Sequence, residues 1–127
     1  MKKLILLFSH TLTDEQKDDA QDRFGIKEFI ILPNRLQTVW SNVPAELEDI
    51  GEYLEPIREF LREHIDNDDM VLVQGDFGAT CMMASFVKSL GGVAVYATTK
   101  RDVTEKEIDG KIVKTSVFEH IRFRIYK

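Results

Sequence analysis

Four short apolar runs constrain this chain more than any other feature: Leu4–Phe8, Phe29–Leu32, Met70–Val73 and Val93–Ala97. They are almost uninterrupted by polar residues, which suits strands buried on both faces rather than on one. Helical patterns lie between them. Thr13-Asp14-Glu15-Gln16 reads as a capping box, with Thr13 as N-cap and Gln16 reaching back, and it opens a helix over about Asp14 to Phe24 that Gly25 stops. From Pro44, the residues Leu47, Ile50, Leu54, Ile57 and Leu61 recur at helical spacing and predict one long helix, kinked near Tyr53 by Gly51 and Pro56. Asn34 to Val43 reads as irregular, and a further helix begins at Ala79 or Thr80, with Cys81 among its core residues. Strand and helix thus alternate three times. This predicts an open, mostly parallel α/β sheet of Rossmann-like type with helices on both faces.

The C-terminal third changes period. Asp109-Gly110 is a hairpin signal between Val103–Ile108 and Lys111–Ser116, and Val117 to Tyr126 alternates apolar with polar residues. An antiparallel extension is expected there. At 127 residues with no linker or repeat, one domain over 1–127 is the expectation. One cysteine excludes an internal disulfide and a Cys-based zinc site. A net charge of −5 argues against a general DNA- or RNA-coating role, but leaves a small anionic ligand open. No run approaches the ~20 apolar residues of a spanning helix. The expected location is cytoplasmic, with no membrane partner.

Ligands of open α/β sheets bind beyond the carboxyl ends of the parallel strands. The segments leaving strands one, three and four are Ser9-His10-Thr11, Gln74–Thr80 and Thr98-Thr99-Lys100-Arg101, read as three polar loops converging at one sheet edge. Gly75 and Gly78 allow close backbone approach to an anion at the next helix N-terminus; equally, they allow only a tight turn with Asp76 as helix cap. Lys100 and Arg101 are the candidate cations for a phosphate, by point charge and planar fork. His10 is either a proton-transfer group or a structural hydrogen-bonder. Trp40 either stacks on a base, packs in the core or makes a dimer contact. His120 alternates with Arg122 and Arg124 on what reads as one strand face. No nucleophile elbow, zincin motif or metal-spaced cluster occurs, so the expected chemistry uses no metal and no cofactor.

Leu4–Thr13, Val71–Thr80 and Tyr96–Arg101, together with Trp40–Pro44 and Phe118–Arg124, are similar to segments of the small, stand-alone Csx-type CRISPR-associated proteins of type III systems. The likeness covers nearly the whole chain. It implies a fold like that of cyclic-oligoadenylate sensor (CARF) domains and a homodimer holding one cyclic ligand across its two-fold axis. It also implies ring-nuclease activity, cutting cyclic tetra-adenylate to linear di-adenylate with a 2′,3′-cyclic phosphate and so ending the antiviral signal. A non-catalytic sensor or sponge of the same ligand is the alternative. The matching segments make Ser9, His10, Gln74, Gly75, Asp76, Thr98, Lys100 and Arg101 site candidates, and their neighbours Thr11, Phe77, Gly78, Thr80 and Thr99 line the same expected site. His10, Gln74, Lys100 and Arg101 are the expected catalytic set.

Overall fold

A computed structural model describes residues 2–127. In chain order its elements are β1 (Lys3–Leu7), α1 (Asp14–Phe24), β2 (Glu28–Ile31), α2 (Asn34–Ser41), α3 (Glu55–His64), β3 (Met70–Val73), α4 (Phe77–Ser89), β4 (Val93–Ile108) and β5 (Lys111–Ile125). The sheet order is β2-β1-β3-β4-β5. The first four strands pair in parallel and β5 returns antiparallel to β4. The fold is therefore the expected Rossmann-like α/β sheet with an antiparallel extension.

Alternate residues of the apolar strands serve two cores. Leu4, Leu6, Met70, Leu72 and Val95 pack under α1 with Ala20 and Phe123. Ile5, Leu7, Val71, Val73 and Ala94 face α2, α3 and α4. Helices cover both faces of β1 and β3, which is why those runs lack polar alternation; β2, at the sheet edge, is less buried than expected, with Ile31 73% exposed. The capping box forms as expected, with Gln16 N–H donating to Thr13 Oγ1 and Thr13 N–H to Gln16 Oε1. Gly25 ends α1 at φ +67°, and Asp109 and Gly110 both take positive φ in the hairpin turn.

Four local expectations are corrected. The stretch holding Trp40 is helical, because Leu36, Val39 and Trp40 share one face and Pro33 accepts the first-turn bonds from Leu36 and Gln37. With proline before it, no side-chain cap announced that helix. The long kinked helix does not exist: turns occupy 45–54, and α3 starts at Glu55 with Pro56 in its first turn, where a missing N–H costs nothing. Helix α4 begins at Phe77, capped by Asp76, and Cys81 on it is exposed rather than core. Finally, Thr98–Arg101 is no loop. Strand β4 runs on without a break to Ile108, and its threonines and Val103 favour that extended course.

At the amino end of the sheet, Asp69 is buried and accepts from Lys3 N–H (3.1 Å) and Asp66 N–H (2.8 Å). Lys3 Nζ completes the group, 3.3 Å from Asp69 and 2.8 Å from Asp66. The hydrogen bond between them holds the Asp66 carboxyl below its ordinary value and the Lys3 ammonium above its own. The stabilisation is thus complete at neutral pH. It is lost as pH falls through the lowered Asp66 value, or rises through the raised Lys3 value. Replacing Asp69 by Ala leaves two part-buried N–H groups without their acceptor and the Lys3 ammonium with Asp66 alone, and should cost about 2–4 kcal/mol in urea unfolding. In Lys3→Met, the fall in melting temperature below about pH 4 should be shallower than in the unaltered chain.

Candidate functional site

The chain leaves β1 toward β2 on one side, then crosses back to β3 on the other. The strand order reverses between β1 and β3, so their carboxyl ends splay apart and open a crevice. A cleft of about 750 Å³ lies there, bordered by Phe8, His10 and Thr11 after β1, Gln74 after β3, and Ala97 and Thr99 on β4. The first turn of α1 closes one side with Asp14 and Glu15, and β5 closes another with Phe118 and His120.

Two side chains brace the wall on the β3 side. Trp40 is 1% exposed, and its Nε1 donates to Gln74 O at 3.0 Å. Its indole lies so close to Gly75 that a Cβ there would come within 3.0 Å of it, which is why this position carries none. Trp40 is therefore a core residue under the β3–α4 turn and not a base-stacking platform. The Gln74 side chain bridges to the next strand, its Oε1 accepting from Ala97 N–H at 2.6 Å. That bond commits the oxygen and leaves the Gln74 amide NH₂ as the donor available to a ligand.

The other candidates divide by place. His10, Thr11, Gln74 and Thr99 border one cleft. Ser9 lies beyond the β1 end, accepting from Ser41 Oγ at 3.0 Å, beside a second hollow of about 530 Å³ that His10 and Thr11 also border. Gly75, Phe77 and Thr80 open onto a shallower hollow beside Tyr96 and Tyr126. Asp76 is spent as a helix cap, its carboxylate accepting from Ala79 N–H at 3.0 Å, and Gly78 faces Ile50. Of the two readings of the glycine turn, the structural one describes these contacts. Thr98 Oγ1 donates to Arg122 O (3.0 Å) and accepts from its N–H (3.3 Å).

Lys100 and Arg101 stand exposed on the β4–β5 ribbon, past the cleft. The Arg101 guanidinium sits 5.8 Å from the centre of the Phe118 ring and donates to Ser116. Among the described residues, no lysine or arginine of the chain borders the cleft. Its groups able to carry positive charge are His10, set edge-on to Phe8, and His120.

His120 is the residue that strand alternation misplaces. Thr98 faces Arg122 but Thr99 faces His120, so Ile121 is an extra residue in β5. A bulge of this kind reverses which face the following side chains take. His120 consequently leaves the face of Arg122 and Arg124 and turns in beside Phe123, their rings 4.9 Å apart, toward α1 and the cleft. No residue type marks this bulge in the sequence.

Fold and cleft together define a Rossmann-like α/β protein with a polar-lined cleft at its topological switch point. The chain belongs to the family described as the uncharacterized protein MJ1673 family, whose pattern it matches over residues 2–124. It is 48% identical over 126 residues to the uncharacterized protein MJ1673 of Methanocaldococcus jannaschii, covering 99% of this chain and 98% of that one. No solved structure matches it. Among the described residues, no helix is long and apolar enough to cross a membrane.

The two ends of the Gln74 carboxamide can be separated by substitution. Gln74→Ala strips Ala97 N–H of its partner and should cost about 1–2 kcal/mol. Gln74→Glu keeps that acceptor but turns a second anionic oxygen on the cleft. Its melting temperature should stay within about 2 °C of the unaltered chain, while affinity for an anionic ligand falls at least roughly tenfold.

Proposed function

We propose that this protein is a metal-independent ring nuclease that binds cyclic tetra-adenylate and cleaves it to linear di-adenylate ending in a 2′,3′-cyclic phosphate. It would thereby switch off type III CRISPR signalling in the cytoplasm. The observation that carries the reading is the gathering of His10, Thr11, Gln74 and Thr99 around one cleft. They come from three separate segments, the same segments in which the chain resembles the Csx-type proteins.

The chemistry suits that inventory. A ribose 2′-hydroxyl attacks the adjacent phosphorus, so neither a water nucleophile nor a Lewis acid is required. Catalysis then consists of alignment, proton transfer and charge stabilisation. In this reading Gln74 NH₂ and Thr99 Oγ1 donate to ribose and phosphate oxygens, and His10 protonates the leaving 5′-oxygen.

The missing cation is the reason to propose a dimer. Beyond Thr99, the β4–β5 ribbon is a two-stranded hairpin with Val103, Ile112, Val117 and Phe118 all exposed. A lone hairpin is marginal in water, and contiguous exposed apolar residues mark an association surface. Pairing two ribbons would cover Val103, Ile112 and Phe118, which share one face, and bring the ribbon cations of each copy toward the shared ligand, as the two-fold symmetry of a four-nucleotide ring invites. The absence of a cation on the cleft of one chain favours the sponge as the second reading, with binding and no turnover.

Incubation with cyclic tetra-adenylate in EDTA, read by mass spectrometry, should give di-adenylate with a cyclic phosphate, and Lys100→Ala should abolish it. An intact ring that nevertheless raises the melting temperature by about 10 °C at roughly 100 times its dissociation constant would establish the sponge instead. An intact ring with no such shift would remove the ligand class. In light scattering the unaltered chain should run as a dimer and Phe118→Asp as a monomer; a monomeric unaltered chain would contradict the ribbon pairing.

A further inference from the structure

His120 is held as no other histidine of the chain is. Its side chain is 5% exposed and its Nε2 lies 2.7 Å from Asp19 Oδ2. Asp19 is in turn fixed through Oδ1 by Arg23 Nε at 2.8 Å, so the carboxylate is aimed from the α1 side. The other ring nitrogen, Nδ1, is buried and has no hydrogen-bond partner among the described residues. The residue borders the same cleft as His10, Gln74 and Thr99.

Those contacts select a tautomer. An ionised carboxylate only accepts, so the ring hydrogen must lie on Nε2, and in the neutral ring Nδ1 carries a lone pair. A buried acceptor without a donor is costly to keep and calls for a reason, of which a catalytic role beside a cleft is one.

We propose that His120 is the proton acceptor of the cleft, with Asp19 as its positioning residue; the proposal rests on the ring-nuclease reading. The 2′-oxygen forms its bond to phosphorus as the 2′-hydroxyl proton passes to His120 Nδ1. The bond from phosphorus to the 5′-oxygen breaks, and that oxygen takes a proton from His10 or solvent. The imidazolium left at His120 then returns its proton to water. Each such cut is an isomerisation with no atom gained or lost, His10 regains from water any proton it gave, and two cuts at opposite phosphates turn the ring into two di-adenylates. Nδ1 is shielded in the free chain, so the 2′-hydroxyl reaches it only if the seated ligand shifts the side chains beside it, as with catalytic hydrogen bonds that form only in the complex.

The test uses the full chain with cyclic tetra-adenylate in EDTA. In His120→Ala, kcat should fall by about 10²–10³ with KM within roughly threefold. Added imidazole should restore at least a tenth of the lost rate, and substituted imidazoles should restore it in the order of their basicity, which filling of the vacated space alone would not do. Asp19→Asn should lower kcat by a smaller factor at unchanged KM. A His120→Ala protein with near-normal kcat, or one whose loss imidazole leaves untouched, overturns the assignment while the ring-nuclease reading stands. Failure of the unaltered chain to cleave removes that reading, and this assignment with it. Should His120→Ala not fold, nitrogen-15 spectra of the unaltered chain decide. Hydrogen on Nε2, and an Nδ1 resonance that moves on adding the 2′-deoxy ring, are required. Hydrogen on Nδ1 or an unmoved resonance overturns the proposal.

Discussion

The indole of Trp40, wedged beneath the β3–α4 turn, is the contact on which the geometry of the cleft depends. It is bonded to the Gln74 carbonyl and leaves no room for a Cβ at Gly75, so it ties α2 to the carboxyl end of β3. From that fixed point the Gln74 side chain reaches to Ala97 N–H and sets the distance between β3 and β4 where the switch point opens. One buried aromatic thus positions a cleft residue from behind, on the core side. A ligand that meets the Gln74 amide meets a donor already oriented, and pre-orientation of this kind favours binding because little freedom remains to be lost.

The second determinant is the irregularity in β5. A regular antiparallel pair would put His120 on the outer face with Arg122 and Arg124, and the cleft would be walled by Ile121 instead. The single extra residue opposite Thr98 and Thr99 reverses that arrangement and brings an imidazole, already paired with Asp19, to the ligand side. Beyond the bulge both faces of the ribbon are exposed. The root of this strand pair belongs to the sheet and the cleft, and its tip stands exposed beyond them.

Much of this was legible in the residues. Uninterrupted apolar runs marked the parallel strands, because burial on both faces leaves no polar alternation. Thr13 with Gln16, Gly25 and Asp109-Gly110 marked the ends of α1 and the hairpin, because each motif satisfies specific backbone groups or dihedrals. What escaped had a common character. Helix α2 lacks a side-chain cap, and the Leu47–Leu54 spacing mimics a helix that Gly51 and the turns around it do not form. Thr98–Arg101 looked like a loop because polar residues follow the buried segment, yet a strand leaving a sheet edge exposes both faces and needs no apolar pattern. His120 was invisible for the same reason the bulge was: the face of a residue depends on pairing register, which is a property of two strands together. His10, Thr11, Gln74 and Thr99 meet at one cleft because the strand-end rule depends on topology and not on motif, while Lys100 and Arg101, selected by the same rule, stand past it.

The most direct test is a crystal structure with the 2′-deoxy analogue of cyclic tetra-adenylate, which lacks the attacking hydroxyl and cannot be cut. Two copies should enclose one ring, with phosphates near Thr99 and the Gln74 amide and the 2′-carbon of one ribose turned toward His120. A ring seated elsewhere, such as in the hollow beside Tyr96 and Tyr126, or crystals that take up none of it at concentrations well above cellular nucleotide levels, would contradict the assignment of this cleft.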